Sequence, residues 1–410
     1  MSTPQKVIVI GAGMVGLSTA WYLQERGFEV SVLDKTGVAA GSSWGNAGWL
    51  APAKTIPLSD SSLWSYGPKA LFNADSPLHM PLRVEPKLWE FLARFMAQAF
   101  ESKWDSTMAD LTAIDRVALA AFDEMELGGV TGISHEGPFV IGFENEEQSR
   151  GFAREVAGVV RHGQIAEMSR LENPQELAPM LSSEVSVAYR LEGQRFIEPG
   201  PYVAAVAADV EKRGGLIRTG VEVTHVAAGA RPAVILADGS REEADKVVIA
   251  TGAWLPKLAR EYGVKTLVQA GRGYSFSVAT DIPAQHPVYL PHHRMACTPY
   301  QGRFRIAGTM EFRGPDEPLQ QRRITAIVNQ ASRLMRGIDF AERQDEWVGS
   351  RPVTPDGRPL LGETKAKDIY VAGGHGMWGM VLGPASGKYL AELMDTGQTN
   401  PIIKPFNPLR

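Results

Sequence analysis

Val7-Ile8-Val9-Ile10-Gly11-Ala12-Gly13-Met14-Val15-Gly16, with Asp34 downstream, is the stretch whose reading decides the fold. The apolar run predicts a buried strand, and the G-x-G-x-x-G spacing opens a helix through Leu17, Ala20, Trp21 and Leu23. Gly27 ends that helix, and Phe28 to Leu33 predict a second strand with Asp34 at its tip. This is the βαβ dinucleotide fingerprint in its expected context. Gly11 permits the tight turn, Gly13 lets the backbone approach a pyrophosphate, and Gly16 lets helix and strand pack closely. Ala12, Met14 and Val15 complete the phosphate turn at a helix N-terminus, where free N–H groups favour negative charge. Asp34, followed by Lys35, is placed to accept hydrogen bonds from ribose hydroxyls.

Composition narrows the class. The chain has 410 residues, enough for two domains, with 44% hydrophobic and 21% charged residues. A net charge of −4 argues against a nucleic-acid partner. The single cysteine, Cys297, excludes an internal disulfide and a cysteine-rich metal site, so no metal is expected, and it fits a reducing, cytoplasmic location. With the first strand starting at Val7, no signal peptide is expected ahead of it. No apolar run reaches the ~20 residues that span a bilayer.

Alternating strands and helices at both ends predict one α/β domain built from both termini, with a strand-rich domain inserted. The expected division gives residues 1–82, 146–262 and 345–410 to the nucleotide domain and 83–145 and 263–344 to the second. Residues 51–86 carry Pro52, Pro57, Pro68, Pro77, Pro81 and Pro86 with Trp64 and Tyr66, and read as either a lid or a packed connection. Residues 88–100 predict an amphipathic helix striped by Phe91, Leu92, Phe95, Met96, Ala99 and Phe100. That stripe faces the core or, if exposed, makes a peripheral membrane contact. Further helices are expected at 111–127, 146–160, 202–212, 319–336 and 383–395. Strands are expected at 137–143, 216–226, 246–254, 267–279, 303–309, 345–350 and 369–372.

Four further motifs carry chemistry. Gly41-Ser42-Ser43-Trp44-Gly45-Asn46-Ala47-Gly48-Trp49-Leu50 offers backbone N–H groups and hydroxyls, or is a surface loop. Val247 to Ala253 predicts a strand ending in Thr251-Gly252, where a cofactor can pass closely; Trp254 follows, and Val223 lies on the preceding expected strand. Tyr370 to Met380 ends a strand in a glycine loop, Gly373-Gly374-His375-Gly376-Met377-Trp378-Gly379-Met380, before a helix expected to start near Gly383. His375 is expected to donate to a carbonyl rather than to catalyse. Arg351, before the rigid Pro352, has the planar fork that suits a carboxylate, although its spacing alone reads as a surface cation.

Together these motifs resemble the FAD-dependent D-amino acid oxidase and glycine oxidase superfamily, over essentially the whole chain. The resemblance is strongest to bacterial D-amino acid dehydrogenases, through Asn46-Ala47-Gly48, Gly273-Tyr274-Ser275, Arg351 to Gly357 and Gly374 to Gly376. Arg305 to Phe312 is shared with oxidoreductases of glycine and N-substituted glycines. The resemblance implies a Rossmann-like FAD domain with an inserted antiparallel-sheet α+β substrate domain. It places Asp34 on the adenosine ribose, Gly11 to Gly16 on the pyrophosphate, and Gly374 to Met380 against the flavin. It makes Arg351 the anchor for a substrate carboxylate, with Tyr274 capping the pocket. A flavin would also benefit from a positive helix end near its ring when reduced. Related sarcosine oxidases bind flavin covalently through a late cysteine and carry an arginine after G-S-S-x-G. Here Asn46 follows Gly45 and Cys297 is the only cysteine, so the FAD is expected to be non-covalent.

The expected reaction is oxidation of a small or apolar D-amino acid at Cα, with electrons passing to a quinone, another carrier or dioxygen. The alternative is a secondary amine such as proline, hydroxyproline, sarcosine or another N-substituted glycine, and an apolar pocket lined by Trp49, Trp254, Trp378 and Met380 would accept either class. A non-catalytic flavoprotein and an NAD-dependent dehydrogenase are two further readings. The terminal glycine loop argues against the last, because a nicotinamide enzyme has no need of that second contact.

Overall fold

The computed structural model describes residues 4–61, 63–64, 78–79, 85–300 and 302–410. Pro68, Pro77, Pro81 and Tyr66 of the expected lid lie outside them. The chain's two ends build one six-stranded sheet in the order Leu216–Thr219, Glu29–Asp34, Lys6–Ile10, Lys246–Ile249, Ile369–Gly373 and Leu360–Glu363. The first five run parallel, and the last is antiparallel to its neighbour. Ile10 pairs with both Leu33 and Ile249, so three strand tips end level.

Both faces of this sheet are buried, which is why its strands read as near-continuous apolar runs. Val7, Val9, Val30 and Val32 face a core made with the helices Met14–Glu25, Glu101–Leu127, Pro199–Lys212 and Gly379–Thr396. Ile8, Ile10, Leu33 and Val247 face the opposite core, closed by the three-stranded sheet of Val223–Ala227, Ala233–Leu236 and Arg241–Glu243. The expected single strand at 216–226 is therefore two. Gly220, at φ 71°, turns the chain from one sheet into the other.

The closing helix starts at Gly379, four residues before the expected Gly383, and carries Pro384 inside it. The glycines read as a start signal serve packing instead. A Cβ on Gly387 would come within 2.7 Å of the Ser18 and Thr19 backbone, so the first and last helices approach closely only with glycine there.

A second, larger sheet runs Gln344–Val353, Gln269–Val278, Arg303–Phe312, Met295–Tyr300, Val288–Leu290, Phe139–Phe143, Val187–Leu191 and Met168–Leu171, with Leu78–His79 joined to Arg303–Phe312. It is mainly antiparallel, with parallel joins at 288–290 to 139–143 and at 78–79 to 303–312. This corrects the expected domain limits. Strands 168–171 and 187–191, assigned to the nucleotide domain, belong to the large sheet, while helix Glu101–Leu127 packs on the nucleotide side. The helix is Pro86–Met96, shorter than the expected 88–100, and its stripe faces inward, with Leu88, Phe91 and Phe95 buried against Met310, Phe312 and Val353, while Phe100 beyond its end is exposed. No helix among the described residues is long and apolar enough to cross a membrane.

Candidate active site

A cavity of about 450 Å³ opens where the level strand tips of the first sheet face the large sheet. Such a crevice at the carboxyl ends of parallel strands is where this architecture binds ligands. At one end lie Gly11, Gly13 and Gly16 with Asp34. At the other lie Ser350, Arg351, His375 and Met377.

The glycines are there for space. A Cβ on Gly11, which sits at φ 117°, would strike the Ala250 carbonyl, and a Cβ on Gly16 would strike the Gly11 carbonyl. Gly13 caps the first helix with no side-chain hydrogen bond, and Trp378 likewise caps the last. Two helix N-termini thus face one cavity; apart from Met14 N, which donates to Ser43, their first-turn N–H groups are able to donate to an anion. The Ser43 hydroxyl accepts from Met14 N at 3.2 Å, fixing the Gly41–Asn46 loop against the first helix.

Asp34 lines the cavity while its carboxylate is held from behind. Oδ2 accepts from Ala12 N at 2.9 Å, and Oδ1 accepts from Thr36 N at 2.8 Å and Gly37 N at 3.0 Å. A carboxylate has about four lone-pair sites, so hydroxyl groups of a ligand can still donate to it. Beside it, Lys35 Nζ lies 4.1 Å from the Trp254 ring centroid. Trp254 Nε1 donates to Asp316 at 2.8 Å, and Lys35 meets the same carboxylate at 3.4 Å. Asp316 comes from the loop after strand 303–312, and sequence reading missed it because nothing local marks it as facing Trp254.

Arg351 sits on strand 344–353, with its Cα opposite Gly271. Its guanidinium lies over Gly273, and the Trp347 indole lies over Gly349, the residue paired with Gly273. Two facing glycines thus form a floor that carries a cation and an aromatic ring. Among the described residues, Arg351 has no carboxylate partner. Burial pushes its pKa down to about 10, so the group is charged at neutral pH and lacks a counterion.

His375 is buried at the cavity wall, with Nε2 2.9 Å from Ser386 Oγ rather than on a carbonyl as expected. Burial pushes its pKa down to about 3, which keeps the ring neutral. Its Nδ1 and the Thr251 hydroxyl are buried at this wall without a partner.

Of the expected site residues, Met14, Val15, Lys35, Ser42, Ser43, Asn46, Val223, Thr251, Gly252, Trp254, Gly376, Gly379 and Met380 also line the cavity. Others do not. Tyr274 is fully buried on the opposite face of the large sheet, in the core with Phe276, Ile306 and Ile327, and its hydroxyl donates to the Glu311 carboxylate. Side chains alternate along a strand, so the face that carries Gly273 excludes Tyr274. Ala12 is buried beneath Asp34. Ala47 O accepts from Thr298 Oγ1 at 2.5 Å, Trp49 Nε1 donates to the same hydroxyl at 3.0 Å, and Leu50 is core. Gly48 packs on the Ile197 carbonyl and Gly374 on Thr354. Trp378 Nε1 donates to Ile56 O at 2.9 Å, tying the glycine loop to the chain that follows the first loop. These residues dock the loops and do not face the cavity.

The family model described as DAO, FAD dependent oxidoreductase, matches residues 6–393. The chain belongs to this family. It is an FAD-dependent oxidoreductase, and the cavity fits that cofactor: two helix N-termini at its wall, a glycine turn whose tight backbone packing excludes side chains at Gly11 and Gly16, and a carboxylate facing inward. The chain is 31% identical to a D-amino acid dehydrogenase of Paramagnetospirillum magneticum over 95% of its length and 94% of that protein. Its fold is similar to glycine oxidase from Geobacillus kaustophilus, with TM-score 0.75, 20% identity and 99% of each chain covered. It is also similar to L-proline dehydrogenase from P. horikoshii, with TM-score 0.71, 18% identity, and 100% and 98% of the two chains covered. Cys297 lies in the core behind the large sheet, away from the cavity-lining residues.

Proposed function

We propose that this chain oxidatively deaminates a small or apolar D-amino acid to its 2-oxo acid. The observation that carries the reading is Arg351, a half-buried residue whose guanidinium stands at the cavity wall with no carboxylate partner among the described residues. A charge held in low dielectric without a counterion favours an anionic ligand strongly, and the planar fork matches a carboxylate. The likeness to a D-amino acid dehydrogenase supports the enantiomer.

Gly11, Gly13 and Gly16 would hold the pyrophosphate of FAD, and Asp34 the adenosine ribose. The glycine loop before the last helix would lie against the ring. FAD, when bound, would supply the two-electron oxidation of the substrate Cα–N bond, and water would hydrolyse the resulting imino acid to the 2-oxo acid and ammonia. Arg351 fixes the carboxylate on its glycine floor and so orients Cα, and this positioning supplies much of the rate. His375, being neutral, supplies no proton at physiological pH. A substrate amine that binds deprotonated needs no base, so none is assigned. The electrons then pass to dioxygen, a quinone or another carrier.

The test is anaerobic absorbance of the purified yellow protein as D-alanine, D-proline, their L-forms, glycine and sarcosine are added in turn. Bleaching by D-forms is expected, and admitting air then shows whether dioxygen is the acceptor. Bleaching by sarcosine or L-proline alone replaces the proposal with secondary-amine oxidation. No bleaching by any of them overturns it.

A further inference from the structure

A second guanidinium lies behind the same wall. Arg305, on strand 303–312, is 1% exposed, and its charge has no carboxylate within ion-pair distance among the described residues. Nη1 donates to Ser277 Oγ at 3.0 Å and to the Asp345 carbonyl at 3.2 Å, and Nη2 donates to Ser275 Oγ at 2.8 Å. Nε–H has no partner among the described residues. The nearby acid, Asp345, turns its carboxylate to Arg303 at 2.6 Å. Tyr300 directs its hydroxyl to Asn46 O at 3.0 Å.

Arg305 belongs to the ligand side of the sheet. Its partners Ser275 and Ser277 follow Gly273 on one strand face, and Gly273 carries the Arg351 guanidinium. The two cations are therefore one to two strand repeats apart, roughly 7–13 Å. Around the Arg305 guanidinium stand the Trp44 ring, 5.1 Å from its Cζ, and Gly45, whose Cβ would lie 2.5 Å from Nη2 and as close to the Trp347 indole. Gly45 also accepts the Ser275 hydroxyl at 2.8 Å, and its neighbour Asn46 lines the cavity. The guanidinium is thus sealed from direct contact by the Gly45 backbone and the Trp44 and Trp347 rings, an apolar layer that does little to screen a charge. Hydrogen bonds to serine hydroxyls and a carbonyl need donors but no net charge. Burial disfavours the charge, and no ion pair offsets that cost.

We propose that Arg305 sets the electrostatic potential at the flavin-ring end of the cavity, favouring the reduced, anionic form of the bound FAD without touching it. This rests on the placement of FAD above and not on the choice of substrate. Protein charge near the ring is one of the levers that tune flavin reduction.

The experiment compares the holoenzyme with Arg305→Met and Arg305→Lys. Flavin content is read from visible absorbance, the two-electron midpoint potential by equilibration with a reference dye, and sulfite affinity by bleaching, since the sulfite adduct is also anionic. Arg305→Met is expected to keep FAD but bind sulfite about tenfold more weakly and lower the potential by about 30 mV, the equivalent of tenfold for two electrons. Arg305→Lys is expected to restore most of both. Wild-type values in Arg305→Met overturn the proposal. Equal losses in both variants, or loss of flavin from both, also overturn it and leave Arg305 as a strand clamp. Neither readout uses an amino acid, so a failed substrate assignment does not disturb the result.

Discussion

The Arg351 guanidinium occupies the space that a Cβ on Gly273 would need. The two residues sit on neighbouring antiparallel strands, and the absence of a side chain on one positions the charge of the other. Gly273→Ala is therefore expected to lift the guanidinium off its floor without removing the charge. Losing one well-placed charged hydrogen bond costs about 1.5–3 kcal/mol, which corresponds to a roughly ten- to hundredfold rise in KM. Flavin content should be unchanged, because Gly273 is not among the cavity-lining residues near the glycine cradle. Steady-state kinetics beside a flavin absorbance spectrum check both halves.

Arg351→Lys keeps a cation but loses the planar fork, so it is expected to weaken carboxylate binding by about 2–3 kcal/mol while leaving FAD bound. In the wild type, the lowered pKa gives a second signature. The free guanidinium is charged below about pH 10 and loses its proton above that. A bound carboxylate favours the charged form, so affinity should be flat below that pH and fall above it. Titrating a carboxylate inhibitor across this range by flavin absorbance reads the effect, and an unchanged affinity in the lysine variant would remove Arg351 from the pocket.

Asp34 accepts three backbone N–H groups while facing the cavity. Asp34→Ala orphans those donors and removes the acceptor for ribose hydroxyls, so FAD should be retained at least about tenfold more weakly. Asp34→Asn keeps one acceptor oxygen and should fall between the two. Flavin remaining after extensive dialysis measures this, and full occupancy in the alanine variant would end the ribose role.

His375 contributes no ionisation near neutrality. Its folded pKa, pushed down to about 3 by burial, lies below the unfolded value, so the ring stays neutral in the native state at physiological pH. The pH profile of kcat/KM should therefore show the same inflections between about pH 5 and 8 in the wild type and in His375→Gln, even where their absolute values differ. An inflection lost only in the variant would return His375 to the acid–base chemistry.

The nucleotide unit was legible because its signals are local. Strand, glycine turn, helix and acid follow one another within Val7 to Asp34, and each glycine answers a nearby backbone clash. Arg351 was legible as a residue type, but its isolation from any carboxylate was not, because that depends on what the fold leaves out. Tyr274 was misread because one residue of register separates the two faces of a strand. Here the register also shifts opposite Gly273 and Tyr274, where Thr309, at φ 49°, is an extra residue. Gly383 and Gly387 looked like helix punctuation, yet they answer to Met14, Ser18 and Thr19, far away in sequence. Arg305 and Asp316 act through neighbours that only the packing of the large sheet supplies.

Asp115 gives a pH dependence that is independent of the active site. It is buried on helix Glu101–Leu127 with neither carboxylate oxygen in a hydrogen bond, and burial raises its pKa well above the ordinary value despite the nearby Thr55 and Gln164. The folded protein therefore holds a proton that the unfolded chain releases above about pH 4. Where the native state binds more protons, stability falls as pH rises. Asp115 thus costs nothing below the unfolded pKa and progressively more above it, until the pH reaches its folded pKa. Over that window the cost grows by about 1.4 kcal/mol for every tenfold fall in proton concentration. Asp115→Asn cannot ionise, so it should match the wild type near pH 4 and be more stable around pH 8. Thermal melts of the holoenzyme at the two pH values test this, and a variant that loses stability relative to wild type on going from pH 4 to pH 8 would show that Asp115 is held as a carboxylate after all.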